Sequence, residues 1–242
     1  SGIGAAIAAA LSGAGAHVTL AGRRAGALAE TAARCPGRTH VAAGFDVTDA
    51  AAVAAGIAGA RAAFGPVSIL VNNAGEAPTA PFEKTDDALV ARILAVDLAA
   101  LFTVTRAALP DIKAQGGLGR IINVASTAGL KGYAYATAYS AAKHGVVGLT
   151  RALALEIVRS GVTVNALCPG FTETPLIDDA VARIVEKTGR TAEETRAELA
   201  RANPQGRLIQ VDEVAAAALW LCSEGARSVT GQAIALAGGE VM

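Results

Sequence analysis

Cysteine, histidine and aromatic side chains are all scarce in this 242-residue chain, and each shortage removes a class of function. The three cysteines, Cys35, Cys168 and Cys222, lie far apart with no Cys-x-x-Cys pair. That excludes a disulfide scaffold and a thiolate metal site, and it points to free thiols in a reducing, cytoplasmic compartment. His17, His40 and His144 share no ligand spacing, so no metal is expected. His144 adjoins Lys143 but points elsewhere if the segment is helical, and is read as structural. Acidic and basic residues number 21 each, which leaves no net field for nucleic acid or an anionic membrane. No continuous apolar run has the length and side-chain bulk of a membrane span; residues 50–60 are too few and too rich in alanine.

What remains is apolar and small. Hydrophobic residues make up 52% of the chain and charged ones 17%, enough for a large core, and the abundant alanine and glycine suit helices packed closely on a sheet. The length fits one α/β domain, 1–242. Ser1–Gly4 leads straight into an alanine-rich helical pattern that ends near Gly13–Gly15. A buried strand and a glycine turn are expected ahead of such a helix, so a first strand preceding Ser1 is expected that this sequence does not contain. Strands are then predicted at His17–Ala21, Thr39–Phe45, Ser68–Asn72, Arg120–Ala125, Val162–Cys168 and Ala233–Ala237. Helices are predicted between them: Ala25–Arg34, Thr48–Phe64, about Thr85 to Lys113, Ala138 onward, and Asp212–Cys222. Thr85 can cap the long helix, and Pro110 can kink its last turn.

Repeated strand–helix units imply a Rossmann-like, doubly wound parallel sheet in three layers with right-handed crossovers. Ligands of such sheets lie outside the carboxyl ends of the strands. The unusual residues collect there: Gly2 and Gly4, Arg23 and Arg24, Asp46, Asn72–Gly75, Ser126, and Pro169–Gly170. From Thr172 to Arg207 the composition turns charged and polar, and Thr191–Glu194 has the form of a capping box, predicting a helix over Ala192–Ala202. This insertion falls where a lid over a ligand cleft would fall.

Ser126 to Lys143 carries the chemistry. On a helix, Tyr139 and Lys143 stand at i and i+4, one above the other. A phenol beside an ammonium makes an acid/base group near neutral pH, because the positive charge favours phenolate. Ser126, at the end of the preceding strand, can offer its hydroxyl at the same point. Tyr-x-x-x-Lys is common on helices; its surroundings give it meaning here.

Ser1–Gly4, Asn72–Gly75, the Ser126/Tyr139/Lys143 set and Pro169–Gly170 fall in the order and spacing of the short-chain dehydrogenase/reductase family, which the chain resembles over essentially its whole length. Residues 139–148 and 168–175 look most like 3-oxoacyl thioester reductases and aromatic polyketide ketoreductases. The resemblance implies an enzyme binding a nicotinamide dinucleotide at the sheet edge. Gly2 and Gly4 open the helix under its pyrophosphate, Ile3 packs beneath it, and Ser1 offers hydroxyl or amide. After the second strand an NAD enzyme places an acid; Arg23 and Arg24 stand there instead and suit a 2′-phosphate, so NADP(H) is expected, with NAD(H) possible.

The resemblance also gives Asp46 the adenine amino group and Val47 the ring, although Asp46 can equally cap the following helix. Asn73, Ala74 and Gly75 run beside the riboses, and Pro169, Gly170, Thr172 and Thr174 sit near the carboxamide or pyrophosphate. Tyr139 then gives a proton to a carbonyl oxygen held by Ser126, and Lys143 binds the nicotinamide ribose. Asp97 stands where the family has an asparagine that supports a water-mediated proton relay to the lysine. Ala128, Gly129, Tyr133, Phe171, Leu176 and Ile177 would line the substrate cleft.

The substrate expected is a small carbonyl or alcohol, with a 3-oxoacyl thioester of coenzyme A or an acyl carrier protein foremost. Gly117 and Ser160 occupy the places where carrier-protein reductases have docking arginines. An NAD-linked dehydrogenase of a sugar, of a cyclic or aromatic alcohol, or of a 3-hydroxyacyl-CoA is the alternative, followed by a cofactor-sensing protein without chemistry. The resemblance implies a homotetramer, which the apolar Val214–Leu221 face and the hydrophobic C-terminus fit.

Overall fold

The computed structural model describes residues 2–241, so Ser1 lies outside the described residues. Strands and helices alternate in the order α1 (Gly2–Gly13), β1 (Val18–Gly22), α2 (Ala25–Ala33), β2 (Thr39–Ala43), α3 (Ala50–Phe64), β3 (Ile69–Asn72), α4 (Asp87–Leu94) and α5 (Ala100–Ala114). There follow β4 (Arg120–Val124), α6 (Thr137–Ile157), β5 (Thr163–Pro169), α7 (Pro175–Thr188), α8 (Ala192–Arg201), α9 (Val211–Cys222) and β6 (Ala233–Leu236). Among the described residues all strand pairings are parallel. β1 pairs with β2, and a second sheet runs β3-β4-β5-β6. A single sheet is expected from the sequence; among the described residues no strand joins β1 to β3.

Three layers form because β4 and β5 are buried along their whole length and present alternate residues to opposite faces. Ile122 and Val124 pack with Ile7 and Leu11 of α1 and Val214, Ala218 and Leu221 of α9. Ile121 packs with Ile57 of α3, Val104 and Ile112 of α5 and Ile157 of α6. The buried residues of the Val214–Leu221 segment are therefore core; Trp220, 47% exposed, is the large apolar side chain that α9 shows to solvent.

A buried polar ladder ties the layers together below the site. The Asn72 amide donates to Thr105 Oγ1 (3.0 Å) and to Asn123 Oδ1 (2.8 Å). Asn123 in turn donates to Thr150 Oγ1 at 2.9 Å. Each amide is satisfied, so the ladder fixes the register of β3 and β4 against α5 and α6 instead of costing stability.

Several expectations are corrected. Asp46 closes a turn on Thr48, and Asp49 caps α3 through the amides of Ala51 and Ala52. Asp86, not Thr85, caps α4, taking the Leu89 amide at 2.8 Å. Pro110 lies near the end of α5, where the sequence placed it. α4 and α5 form one 28-residue helix, Asp87–Ala114, interrupted by a π-helical turn, Ala95–Ala99, that the sequence pattern did not announce. By length and composition this helix could cross a membrane, contrary to the sequence reading. It buries Ile93 against Ala138 and Ala142 of α6, and Leu101 against Val146, as a core helix does. α7 is a further helix beyond those predicted: its charged outer face hid the apolar stripe of Ile177 and Val181.

Candidate active site

Tyr139 and Lys143 occupy the first two turns of α6, and the Lys143 ammonium lies 5.5 Å from the centre of the Tyr139 ring. Lys143 is buried at 4% exposure and Tyr139 is half-buried. The ammonium donates to the carbonyl oxygen of Val124 at 3.2 Å, the last residue of β4 and two before Ser126. Ser126 begins the 3-10 turn Thr127–Gly129, its Oγ accepting from the Ala128 amide at 3.1 Å. That turn lies directly on α6: a Cβ on Gly129 would stand 2.6 Å from the Lys143 carbonyl oxygen, so only glycine allows the approach. The loop before Tyr139 holds Tyr135 at φ 65°, a left-handed conformation uncommon outside glycine.

Asp97 sits inside the π-helical turn, fully buried, with Oδ1 3.2 Å from the Lys143 ammonium. The sequence reading places a water between the two; the carboxylate contacts the ammonium directly. Its oxygens also take the Glu76 amide at 3.2 and 3.3 Å. Burial pushes the Asp97 carboxyl above the ordinary carboxylate range, and the Lys143 charge opposes that shift. Gly75 allows the contact, since a Cβ there would lie 2.6 Å from Asp97 Oδ1.

Cys168 lies under this group. Burial raises its thiol to about 11, against the opposing effects of a bond from the Ser126 amide and the charge of Lys143. It is inert as a nucleophile in that state.

The start of α1 sits between the end of β3 and the loop after β5. A Cβ on Gly4 would stand 2.6 Å from Asn73 Nδ2, and one on Gly2 would stand 3.2 Å from Thr174 Cγ2. Ile3 packs into the α1–α9 cluster. Ala74 and Gly75 are exposed beyond β3. Arg23 and Arg24 are exposed after β1. Thr48 hydrogen bonds hold the Asp46 carboxyl low, with a smaller contribution from Arg23. Val47 packs against the α3–α5 core cluster. Pro169 ends β5, Thr172 bonds the Gly170 carbonyl at 2.9 Å, and Thr174 bonds the Thr172 carbonyl at 3.2 Å.

Of the expected cleft residues, Ala128 is buried in the turn after Ser126. Tyr133 and Phe171 meet edge to face at 6.0 Å. Leu176 is exposed, and Ile177 is buried with Val181 and Leu208 in a small cluster of its own. Sequence reasoning missed Glu240, which bonds Tyr133 across 107 residues. No spacing rule could have joined them.

A family model described as enoyl-(acyl carrier protein) reductase matches residues 1–240. The chain is a short-chain dehydrogenase/reductase. It is 40% identical over 246 residues to the granaticin polyketide synthase putative ketoacyl reductase 1 of Streptomyces violaceoruber, covering 99% of this chain and 89% of that protein. It is 41% identical over 244 residues to a D-beta-hydroxybutyrate dehydrogenase of Cupriavidus necator, covering 100% of this chain and 94% of the relative. A variant of actinorhodin polyketide ketoreductase, solved with NADPH, superposes with a TM-score of 0.91 at 35% identity, covering 99% of this chain and 93% of that one. This short-chain dehydrogenase/reductase is thus an NAD(P)-dependent oxidoreductase acting on CH–OH groups and the corresponding ketones.

Proposed function

We propose that this enzyme reduces a 3-oxoacyl thioester or a related ketone with NADP(H), Tyr139 giving the proton to the carbonyl oxygen. The observation that carries the reading is the buried Lys143 ammonium beside the Tyr139 ring, next to the turn that begins at Ser126. When bound, the nicotinamide supplies the hydride to the carbonyl carbon or takes it from the alcohol. The chain's own residues do the rest. Ser126 Oγ holds the carbonyl oxygen, the Tyr139 hydroxyl protonates it, and Lys143 binds the nicotinamide ribose while its charge favours phenolate in the oxidative direction. Asp97 is a positioning residue that fixes Lys143.

The residues fit a dinucleotide. Glycines at 2, 4 and 75 leave backbone open where side chains would collide, and the start of α1, with no acid in its first turn, favours the pyrophosphate. Asn73, Ala74 and Gly75 would take the riboses, and Pro169, Gly170, Thr172 and Thr174 the carboxamide side. Asp46 and Val47 would hold the adenine. The exposed Arg23 and Arg24, with no acid between them and α2, support a 2′-phosphate and hence NADP(H).

Segment 172–207 is read as a lid. Its α8 is tied to the start of α7 by Arg196, which pairs with Glu173 at 3.0 Å and with Asp178. Phe102, Leu155 and Trp220 leave apolar surface on α5, α6 and α9 that supports a homotetramer, and the free thiols suit the cytoplasm.

The test is cofactor oxidation over a panel of ketones and 3-oxoacyl thioesters, each with NADPH and NADH. Turnover of thioesters or ketones with NADPH preferred is expected. Faster reduction of NAD+ than of NADP+ by a hydroxy acid or cyclic alcohol, with little turnover of ketones by NADPH, would favour the dehydrogenase reading, to which the hydroxybutyrate dehydrogenase relative lends weight. Tight dinucleotide binding without turnover of any carbonyl would leave a sensing protein.

A further inference from the structure

Beside the turn after Ser126, and against the end of β5, lies a carboxylate that the chemistry above does not use. After β6 the chain passes through Gly238 and Gly239 at φ +57° and +94°, both left-handed, and doubles back on itself. Asn203, just past α8, is packed so closely on Gly238 that no side chain would fit there. This turn carries Glu240 inward, where its side chain is only 2% exposed.

One of its oxygens is fully used. Oε1 accepts from the Tyr133 hydroxyl and pairs with the Lys131 ammonium at 3.0 Å. Tyr133 also meets Thr127 Oγ1 at 2.6 Å, beside Ser126, and its ring packs on Phe171. The Lys131 ammonium lies 4.9 Å from the centre of the Tyr133 ring. The other oxygen, Oε2, is buried without a partner and lies against Gly170, where a Cβ would come within 2.9 Å of it. A buried acceptor with no donor is costly, the more so when charged, so a donor supplied by a ligand is favoured there and a second anion is opposed.

We infer that Glu240 is a specificity residue of the carbonyl pocket: its free Oε2 accepts a hydrogen bond from a hydroxyl or amide group close to the ketone and turns away substrates that carry a carboxylate. The inference rests on the ketone reading of the same site and sharpens it, since it selects neutral, donor-bearing ketones over 3-oxo acids. Tyr133 remains a donor to Glu240 throughout the working pH range, because burial and that bond push its phenol up.

The test uses one ketone in three forms: acetoacetate, methyl acetoacetate and acetoacetamide. Binding to the enzyme–NADP+ complex, in which no reduction can occur, is measured by calorimetry for wild type, Glu240→Gln and Lys131→Met. The wild type is expected to bind acetoacetamide best and acetoacetate at least about tenfold more weakly. Glu240→Gln should close the gap between anion and amide by about tenfold, and Lys131→Met, which strips the carboxylate of its counter-ion, should widen it. Equal affinities for all three forms, a gap that Glu240→Gln leaves intact, or no binding of any of them would overturn the inference. So would a Glu240→Gln variant changed only in its affinity for NADP+, which would assign Oε2 to the cofactor. If the binding order holds while NADPH reduces none of the three, the ketone-reducing reading falls and the pocket assignment stands.

Discussion

Replacing Asp97 by asparagine removes one charge from the centre of the site and nearly no volume. At 3.2 Å the carboxylate and the Lys143 ammonium attract each other by about 5 kcal/mol at an effective dielectric of about 20, before the cost of burying both. Asparagine keeps an acceptor for the Glu76 amide and loses that attraction. The potential at Tyr139 then becomes more positive. The lost charge touches the ammonium that lies 5.5 Å from the ring centre, so its removal is felt at the phenol. In the oxidative direction phenolate is the working base, so more positive surroundings favour the working form. The acidic limb of kcat/KM for alcohol oxidation should move to lower pH in Asp97→Asn. The assay is a full pH–rate profile for both proteins with the same alcohol. Superimposable profiles, or a shift to higher pH, would refute the reasoning.

Other consequences follow from the same contacts. Lys143→Met leaves the Asp97 carboxylate buried with the Glu76 amide but no counter-ion. Its raised titration means that the folded protein holds a proton there more readily than the unfolded chain, so the stability contributed is complete below the ordinary carboxylate range and is lost as pH rises through the folded value. Thermal melts should show a loss of about 3 kcal/mol near neutral pH, roughly 6–12 °C, shrinking towards acid; a pH-independent loss would contradict this. Glu213, lowered to about 2 by Arg207 and the Gln210 amide, runs the other way: its contribution is present above the ordinary carboxylate range and fades as pH falls through about 2. The pair is half exposed, so Glu213→Gln should cost under about 1 kcal/mol near neutrality, read by denaturant titration, and nothing in strong acid. Iodoacetamide at about pH 8 should leave Cys168 unlabelled in the native enzyme and label it only after unfolding, as peptide mapping would show. Gly129→Ala, forced against the Lys143 carbonyl, should lower both stability and kcat.

How far the sequence could be read depended on distance along the chain. Strand–helix alternation was plain, because β4 and β5 are short, mostly apolar runs bounded by turn residues and helix starts. Tyr139 and Lys143 were legible because a helix alone brings i and i+4 together, and the capping box at Thr191 announced α8 locally. The π-helical turn was invisible, since an inserted residue in a helix leaves no mark in a pattern of mostly alanine and leucine; yet it is that turn which holds Asp97 against Lys143. Caps shifted by a residue or more, from Thr85 to Asp86 and from Asp46 to Asp49, because several neighbouring side chains could serve and backbone geometry chose. Glu240 was unreadable: its partners are Tyr133 and Lys131, and only the tertiary fold brings the C-terminal turn to them.

The most direct measurement is Tyr139→Phe, which removes a single oxygen. With a ketone that the wild type reduces, kcat/KM should fall by about a thousandfold or more while dinucleotide affinity, read by fluorescence titration, stays within about twofold. A variant that still turns over at a rate near wild type would contradict the account, for the proton would then come from elsewhere.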